Sequence, residues 1–449
     1  MIVGIQSGMV MQRGDDGTCH VFFSCNEAVE TVSCDCAYYK PQIERKSGKY
    51  LLTGISAGGP YTLKINQMTF HDIYVGDVWL LCGQSNMQGV GRMVDIPFNA
   101  NDGIRAYYMN GHWGVANHPL HELGFAKHGV HRKLGAQPSV ANIRGVGPGL
   151  AFAQKMYGLT HVPQGLICCA HGGTNLFDQW SPDGLSKGPD HSLYAAMHAR
   201  YIENGGNVKG VFWYQGCSDT KPEVCEEYTE NMIHFVGAVR TDLQPDLPFV
   251  QVQISRVSWA SPENMQEHCM WQSIREQQRL LNKRIEKLDT VSTIAYRLED
   301  CIHLQSAAQA VLGEDAAESM FCLLHGKCYG CLPGIRLQSM EIVEDDFDAA
   351  MCSIILTYDN VHGKLDGGVR PMGFDRSNKP DFPEQCGIFD TFVDGNRVIL
   401  RCDYAKKDLL GQYLWYGFGK NPSCNIVDER GRSLPAFGPL PIRDGIVDM

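Results

Sequence analysis

No stretch of this 449-residue chain approaches the ~18 consecutive apolar residues that a bilayer span requires, so a transmembrane helix is not expected. The opening residues, MIVGIQSGMVMQRGDDG, also lack a charged segment followed by an apolar one, and so predict no secretory leader. Lysine and arginine form no cluster. With 39 basic against 50 acidic residues and a net charge of -11, nucleic acid and anionic membrane surfaces are excluded as expected partners. Low-complexity tracts and internal repeats are absent too. A composition of 44% hydrophobic and 20% charged residues then predicts a soluble globular protein, and the length predicts two or three domains.

Cysteine is plentiful, with 18 residues, but it is spread through apolar strand-like runs (Cys82, Cys168, Cys169, Cys352, Cys402). That spread excludes a small disulfide scaffold and predicts reduced, buried thiols. With no leader in view, it also predicts a cytoplasmic location. One cluster, CLLHGKCYGC, holds Cys322, His325, Cys328 and Cys331. Cys328 and Cys331 have the C-x2-C spacing of a zinc site, but no second pair stands at a standard spacing. Core cysteines are the expectation there, and no metal is expected.

The chain changes rhythm twice. Residues 1–75 read as short strands and turns (HVFFSCN, TVSCDCAYYK, KYLLTGI, GGPYTLKINQ) and predict a β-sandwich-like domain. Over 76–328 apolar strand candidates (Val78–Cys82, Gly165–Cys169, Val208–Tyr214, Pro248–Ile254, Thr290–Tyr296) alternate with helical patterns (Gly149–Tyr157, Leu193–Asn204, Val224–Val239, Asn264–Asn282). Continuous apolar strands between amphipathic helices predict a parallel sheet covered on both faces. Residues 329–449 return to β patterning and predict a C-terminal β domain.

Ligands of such sheets bind beyond the carboxyl ends of the strands, and there the chain turns abruptly polar. Ser85 in CGQSNMQG follows the first strand, where exposed backbone N–H groups would favour an oxyanion. The commoner use of a serine there is to cap a helix. A nucleophilic serine needs a base, and YRLEDCIHLQ supplies Asp300 and His303 at D-x-x-H spacing after the last apolar strand. The carboxylate would fix the tautomer, and the histidine would take the serine proton. Glu299 is a less well placed substitute. Gly172 and Gly173 in HGGTN, and Gln215 in WYQGCSD, are candidate oxyanion donors. Tight-turn glycines and a core amide are their ordinary readings.

The blocks GQSNM, HGGTN…W, WYQGCSD and DCIH, flanked by GMVMQR, AGGPYTLKI and LWYGFGKNPSCNIVDERGRSLPAF, resemble those of the sialate O-acetylesterase family of SGNH hydrolases. The resemblance runs over nearly the whole chain. It implies a flavodoxin-like three-layer α/β/α domain with a parallel sheet, plus the two flanking β domains. It further implies Ser85 as nucleophile with Asp300 and His303, and an oxyanion hole of the Ser85 N–H, a Gly172 or Gly173 N–H and the Gln215 side chain. Cys217 stands where the family's third block usually has an acidic residue, and Leu304 replaces a proline after the histidine. Cys217 is not expected to be a nucleophile, because no histidine lies near it in sequence.

These readings converge on a serine esterase acting on an O-acetylated carbohydrate without a cofactor. Acetylated xylan or another polysaccharide is the alternative substrate, and a non-catalytic glycan-binding relative is the rival of a different class. Gln84 and Asn86 are tentative substrate contacts or braces of the turn; Trp180 is a tentative contact, with Trp213 and Tyr214 as further stacking candidates, although aromatics near strands more often serve the core. Arg144 and Arg275 are candidates for a sialate carboxylate.

Overall fold

A computed structural model describes residues 2–94, 96–134, 144–259, 264–384 and 387–447. The chain divides into two compact units: Met1–Gln215 with Asn231–Phe249, and Gly216–Glu230 with Val250–Met449. Among the described residues, no helix is long and apolar enough to cross a membrane.

The first unit begins with an antiparallel sheet of Ile2–Val3, Val21–Cys25, Lys49–Thr53 and Gln42–Lys46, in that spatial order. Its apolar side chains Val21, Phe23 and Leu52 form a core with Met9, Met11, Leu63, Ile65, Ile73 and Val75. Leu63, Ile65, Ile73 and Val75 lie on the hairpin of Gly58–Ile65 with the long strand β1, Met68–Gly83. β1 serves two sheets because its pattern changes midway. The early residues alternate in burial, whereas Ile73 to Gly83 are all buried, as a strand covered on both faces must be.

β1 runs parallel to β3 (Gln164–Cys168) on one side and β4 (Gly210–Tyr214) on the other, in registers Trp79↔Leu166 and Leu81↔Phe212. Beyond β3 lies β2, Ile104–Tyr107, also parallel, with Trp113–Val115 antiparallel at the edge. Helices Gly149–Thr160 and Leu193–Glu203 form where expected. The Ser192 hydroxyl accepts the Ala195 N–H at 3.2 Å and so starts the second of them. β2 was not foreseen. Its sequence, IRAY, holds a charged residue, and all four positions are nonetheless buried.

In the second unit β5 (Phe249–Gln253) neighbours β6 (Leu288–Ser292). The expected strand Thr290–Tyr296 stops earlier because the Thr293 hydroxyl donates to Gln253 O at 2.8 Å and Tyr296 N to Thr293 O at 3.0 Å, closing a turn. Helix Met265–Leu280 starts on the Asn264 side chain, which accepts the Glu267 N–H. After helix Ser306–His325 comes a five-stranded sheet ordered Ile388–Asp394, Arg397–Cys402, Cys352–Asp359, Arg336–Glu344, Gly445–Ile446. Cys352–Asp359 alternates in burial, so one face packs on the core of Leu337, Ile354, Leu356 and Leu400. A parallel-strand sheet with additional β sheets thus makes a mixed α/β chain.

Candidate active site

β1 ends at Gly83, and no other residue fits there. Its φ is +132°, and a Cβ would lie 2.2 Å from Tyr214 O. Gln84 N donates to Tyr214 O at 2.8 Å, and the chain turns at once into a single helical turn, Ser85–Gln88. Ser85 is its first helical residue, while the capping position is Gln84, which makes no side-chain cap bond. Ser85 is half-buried, whereas Gln84 and Asn86 are 4% and 2% exposed. The Asn86 amide reaches the Tyr214 hydroxyl at 3.5 Å. Both side chains are buried in the turn that carries Ser85.

Beyond β3 the backbone keeps pairing with β1, through Cys169 N to Leu81 O and His171 N to Gly83 O. That delivers Gly172 to Ser85: a Cβ on Gly172 would sit 3.3 Å from Ser85 Cβ. The Gly172 N–H donates to Gln88 Oε1 at 2.8 Å. Gly173 follows with φ +72°, and a Cβ there would meet nothing within 4 Å. The loop is tied down behind: Thr174 Oγ1 donates to His171 O (2.7 Å), Trp180 Nε1 to Thr174 Oγ1 (2.9 Å), and Gln215 Nε2 to Thr174 O (3.0 Å). Ser85, Gly172, Gly173 and Gln215 are therefore gathered at adjacent strand ends of one unit.

Trp180 takes the core place, the commoner one for such a ring. It is fully buried, edge-on to Trp213 at 5.2 Å, and Trp213 and Tyr214 are equally buried. None offers a ring face to a sugar; Trp180 braces the Gly172–Thr174 loop. Arg275 is likewise fully buried, donating to Ser255 O, Ile254 O, Gly417 O and Gly419 O, and so has no role as a carboxylate clamp. Arg144 lies half-buried in the short strand Arg144–Val146, opposite Arg92.

A set of histidines in the same unit, buried apart from the half-buried His118, escaped the sequence reading. His121 Nδ1 meets Gln88 O at 3.1 Å, and His131 Nδ1 meets His171 Nδ1 at 3.1 Å with the rings stacked. Burial drives His121 down to about 3 and both His118 and His171 down to about 4, so these rings are neutral near pH 7. The stretch HPLHELGFAKHGVH carries four of the five histidines of this region. Nothing in its spacing distinguishes buried rings from surface ones.

In the second unit, the loop from β6 to helix Ser306–His325 carries Asp300 and His303. Asp300 Oδ2 and Oδ1 lie 2.9 and 3.1 Å from His303 Nδ1. Oδ1 also accepts the backbone N–H groups of Ile302 and His303, each at 2.9 Å. With Nδ1–H held by the carboxylate, Nε2 is left as the basic nitrogen. Both side chains are about one-fifth exposed, at 20% and 22%. It is Asp300 that touches the ring. Glu299 uses its backbone N–H to bond His303 O, which closes the loop. Leu304, in the proline's place, is fully buried.

Cys217 heads a short turn, and burial pushes its thiol up to about 12, with Arg275 only partly opposing. Of the cluster considered for zinc, Cys331 is buried and Cys322 and Cys328 are half-buried. Among the described residues, no three His, Cys, Asp or Glu side chains gather as a metal site.

The fold has a close solved counterpart. A carbohydrate acetylesterase from Xanthomonas citri superposes with a TM-score of 0.70 over 97% of this chain and 98% of its own, at 22% identity. A probable carbohydrate esterase of Arabidopsis thaliana is 28% identical over 271 residues, 55% of this chain and 91% of that protein. Residues 75–322 match the family described as carbohydrate esterase, sialic acid-specific acetylesterase. The chain belongs to that family.

Proposed function

We propose that the chain is a serine esterase that removes O-acetyl groups from carbohydrates, with acetylated sialic acid the first substrate to test. The observation that supports this best is the 2.9 Å contact of Asp300 with His303 Nδ1, in a chain of a carbohydrate-esterase family. The reading treats residues 76–328 as a three-layer α/β/α esterase domain between β domains at 1–75 and 329–449.

In the proposed reaction, Nε2 of His303 takes the proton of Ser85 Oγ as that oxygen bonds to the acetyl carbon. The carbonyl electron pair moves onto its oxygen, which meets the Ser85 N–H, a Gly172 or Gly173 N–H and the Gln215 amide. Collapse breaks the bond to the sugar oxygen, which leaves with the proton from His303. Water then attacks the acetyl-enzyme, giving a proton to His303; collapse breaks the bond to Ser85 Oγ, which takes that proton back from His303, and acetate departs. Asp300 stabilises the imidazolium in both halves. Side chains and water complete the chemistry.

The test compares wild type with Ser85→Ala on p-nitrophenyl acetate, followed by acetate release from a panel of O-acetylated glycans. A wild type no faster than Ser85→Ala sinks the proposal.

A further inference from the structure

The Gly172 N–H, one of two glycine amides open to the oxyanion role, already has an acceptor. Gln88 Oε1 holds it at 2.8 Å. Gln88 is itself fixed at both backbone ends. Its N–H donates to Gln84 O at 2.9 Å, and its carbonyl faces Nδ1 of the buried, neutral His121 at 3.1 Å. The next residue, Gly89, has φ +100°, and a Cβ there would lie 2.5 Å from Gly145 O, so the end of the turn is pinned against a second segment. Gln88 therefore ties the turn that carries Ser85 to the loop that carries Gly172. The other glycine differs: Gly173 borders open space at φ +72°.

We propose that Gln88 is a positioning residue for the oxyanion loop. Its side-chain oxygen holds the Gly172 N–H so that the Gly173 N–H is the one presented to the substrate oxygen. This rests on the reading of Ser85 as nucleophile. A preorganised donor acts only if its loop is held before the substrate arrives, and a misplacement of about 1 Å costs about 10²-fold in rate. Gln88 does this without touching substrate.

The experiment uses Gln88→Met, which keeps the side chain's length and removes the acceptor, and Gln88→Glu, which keeps an acceptor oxygen. Gln88→Leu repeats the test should the methionine variant misfold. Two quantities are read: steady-state kinetics on p-nitrophenyl acetate, and hydrogen exchange of the 170–176 backbone. The expected result for Gln88→Met is faster exchange at Gly172 and a kcat lower by about 10²-fold with KM within a few-fold, and Gln88→Glu recovers most of the lost rate. Two results overturn the proposal: exchange quickens while kcat holds, or kcat/KM rises because the glutamine had been blocking a donor. Unchanged exchange with unchanged kcat overturns it equally. A wild type no faster than Ser85→Ala is a separate result, which removes the esterase reading itself.

Discussion

Asp300 grips His303 at two points: Oδ2 stands 2.9 Å from the imidazole Nδ1, and Oδ1 accepts the His303 backbone N–H at 2.9 Å. One carboxylate thus sets both the ring's tautomer and the path of the loop beneath it. Asp300→Asn keeps the size but can turn an N–H toward Nδ1, which favours the tautomer with its proton on Nε2. In the proposed reaction that tautomer has no lone pair for the Ser85 proton. The expected outcome is a kcat lower by about 10³- to 10⁴-fold on p-nitrophenyl acetate with unchanged circular dichroism. A loss of less than tenfold would mean that His303 is not the base.

The buried histidines set the response to acid. His118 and His171 fall from 6.5 to about 4 and His121 to about 3, burial being the first cause in each. Their folded values are depressed, so below pH 6.5 the unfolded chain binds protons that the folded rings refuse. The stability they contribute is present above pH 6.5 and is lost as pH falls toward 4 and then 3. Other groups face His131 and His121: Arg200 disfavours charge on both, and His171 and His128 disfavour it on His131. Asp315 works the other way. Burial raises it from 3.8 to about 7, so its stabilisation is present below 3.8 and is lost as pH rises through 7. Six histidines (His118, His121, His131, His171, His198, His362) are lowered by burial against two aspartates raised by it (Asp315, Asp375), so Tm should hold above about pH 7 and fall between about pH 6.5 and 4. His121→Asn retains a donor for Gln88 O and does not titrate, so its melting curve should fall less steeply there; an unaltered slope counts against the histidines as the cause.

Legibility in the sequence followed locality. The strand ends were readable because fully buried parallel strands are apolar throughout, as in Val78–Cys82, so an abrupt polar turn marks where each stops. Asp300 and His303 were readable because their contact spans three residues. What could not be read depends on partners distant in the chain. The burial of Arg105 in β2 rests on Gly8 O, which its Nε reaches from 97 residues away. Whether Trp180 faces a sugar or the core depends on Trp213, whose ring lies edge-on to it at 5.2 Å. The Gln88–Gly172 bond joins residues 84 apart, and no periodicity announces it.

Two glycines beside Ser85 should respond differently to alanine. At Gly83 a Cβ would meet Tyr214 O at 2.2 Å and its carbonyl carbon at 2.7 Å, both backbone atoms that cannot yield. At Gly173 it would meet nothing, leaving only the cost of a positive φ. Gly83→Ala should therefore lose more than about 2 kcal/mol, and Gly173→Ala about 1 kcal/mol, in urea unfolding. Equal losses would mean that the β1–β4 approach is looser than described.

Trp180 separates packing from recognition. As a loop brace, Trp180→Phe keeps most of the buried ring but removes the 2.9 Å bond to Thr174 Oγ1, and Thr174 in turn receives the Gln215 amide through its carbonyl. The expected change is in kcat, by a similar factor for p-nitrophenyl acetate and for O-acetylated sugars, together with about 1 kcal/mol of stability. A change confined to KM for sugars would restore the stacking role that its burial argues against.

The cysteines offer a labelling test that needs no substrate. The Cys217 thiol, pushed up to about 12 by burial, is almost wholly protonated at pH 8 and should resist iodoacetamide. Cys36 is the contrast. Its partial burial works against the thiolate, yet the Ser56 hydroxyl at 2.9 Å and the backbone N–H groups of Tyr38, Ser56 and Tyr39 bring it down to about 7. Half-buried and largely ionised at pH 8, it should be alkylated well ahead of Cys217 in the native protein, as read by peptide mass spectrometry. Ser56→Ala removes one of those donors and should slow that labelling. Because Ser85 rather than Cys217 is the proposed nucleophile, esterase activity should survive complete modification of Cys36, and loss of activity in step with labelling of Cys217 would reverse that assignment.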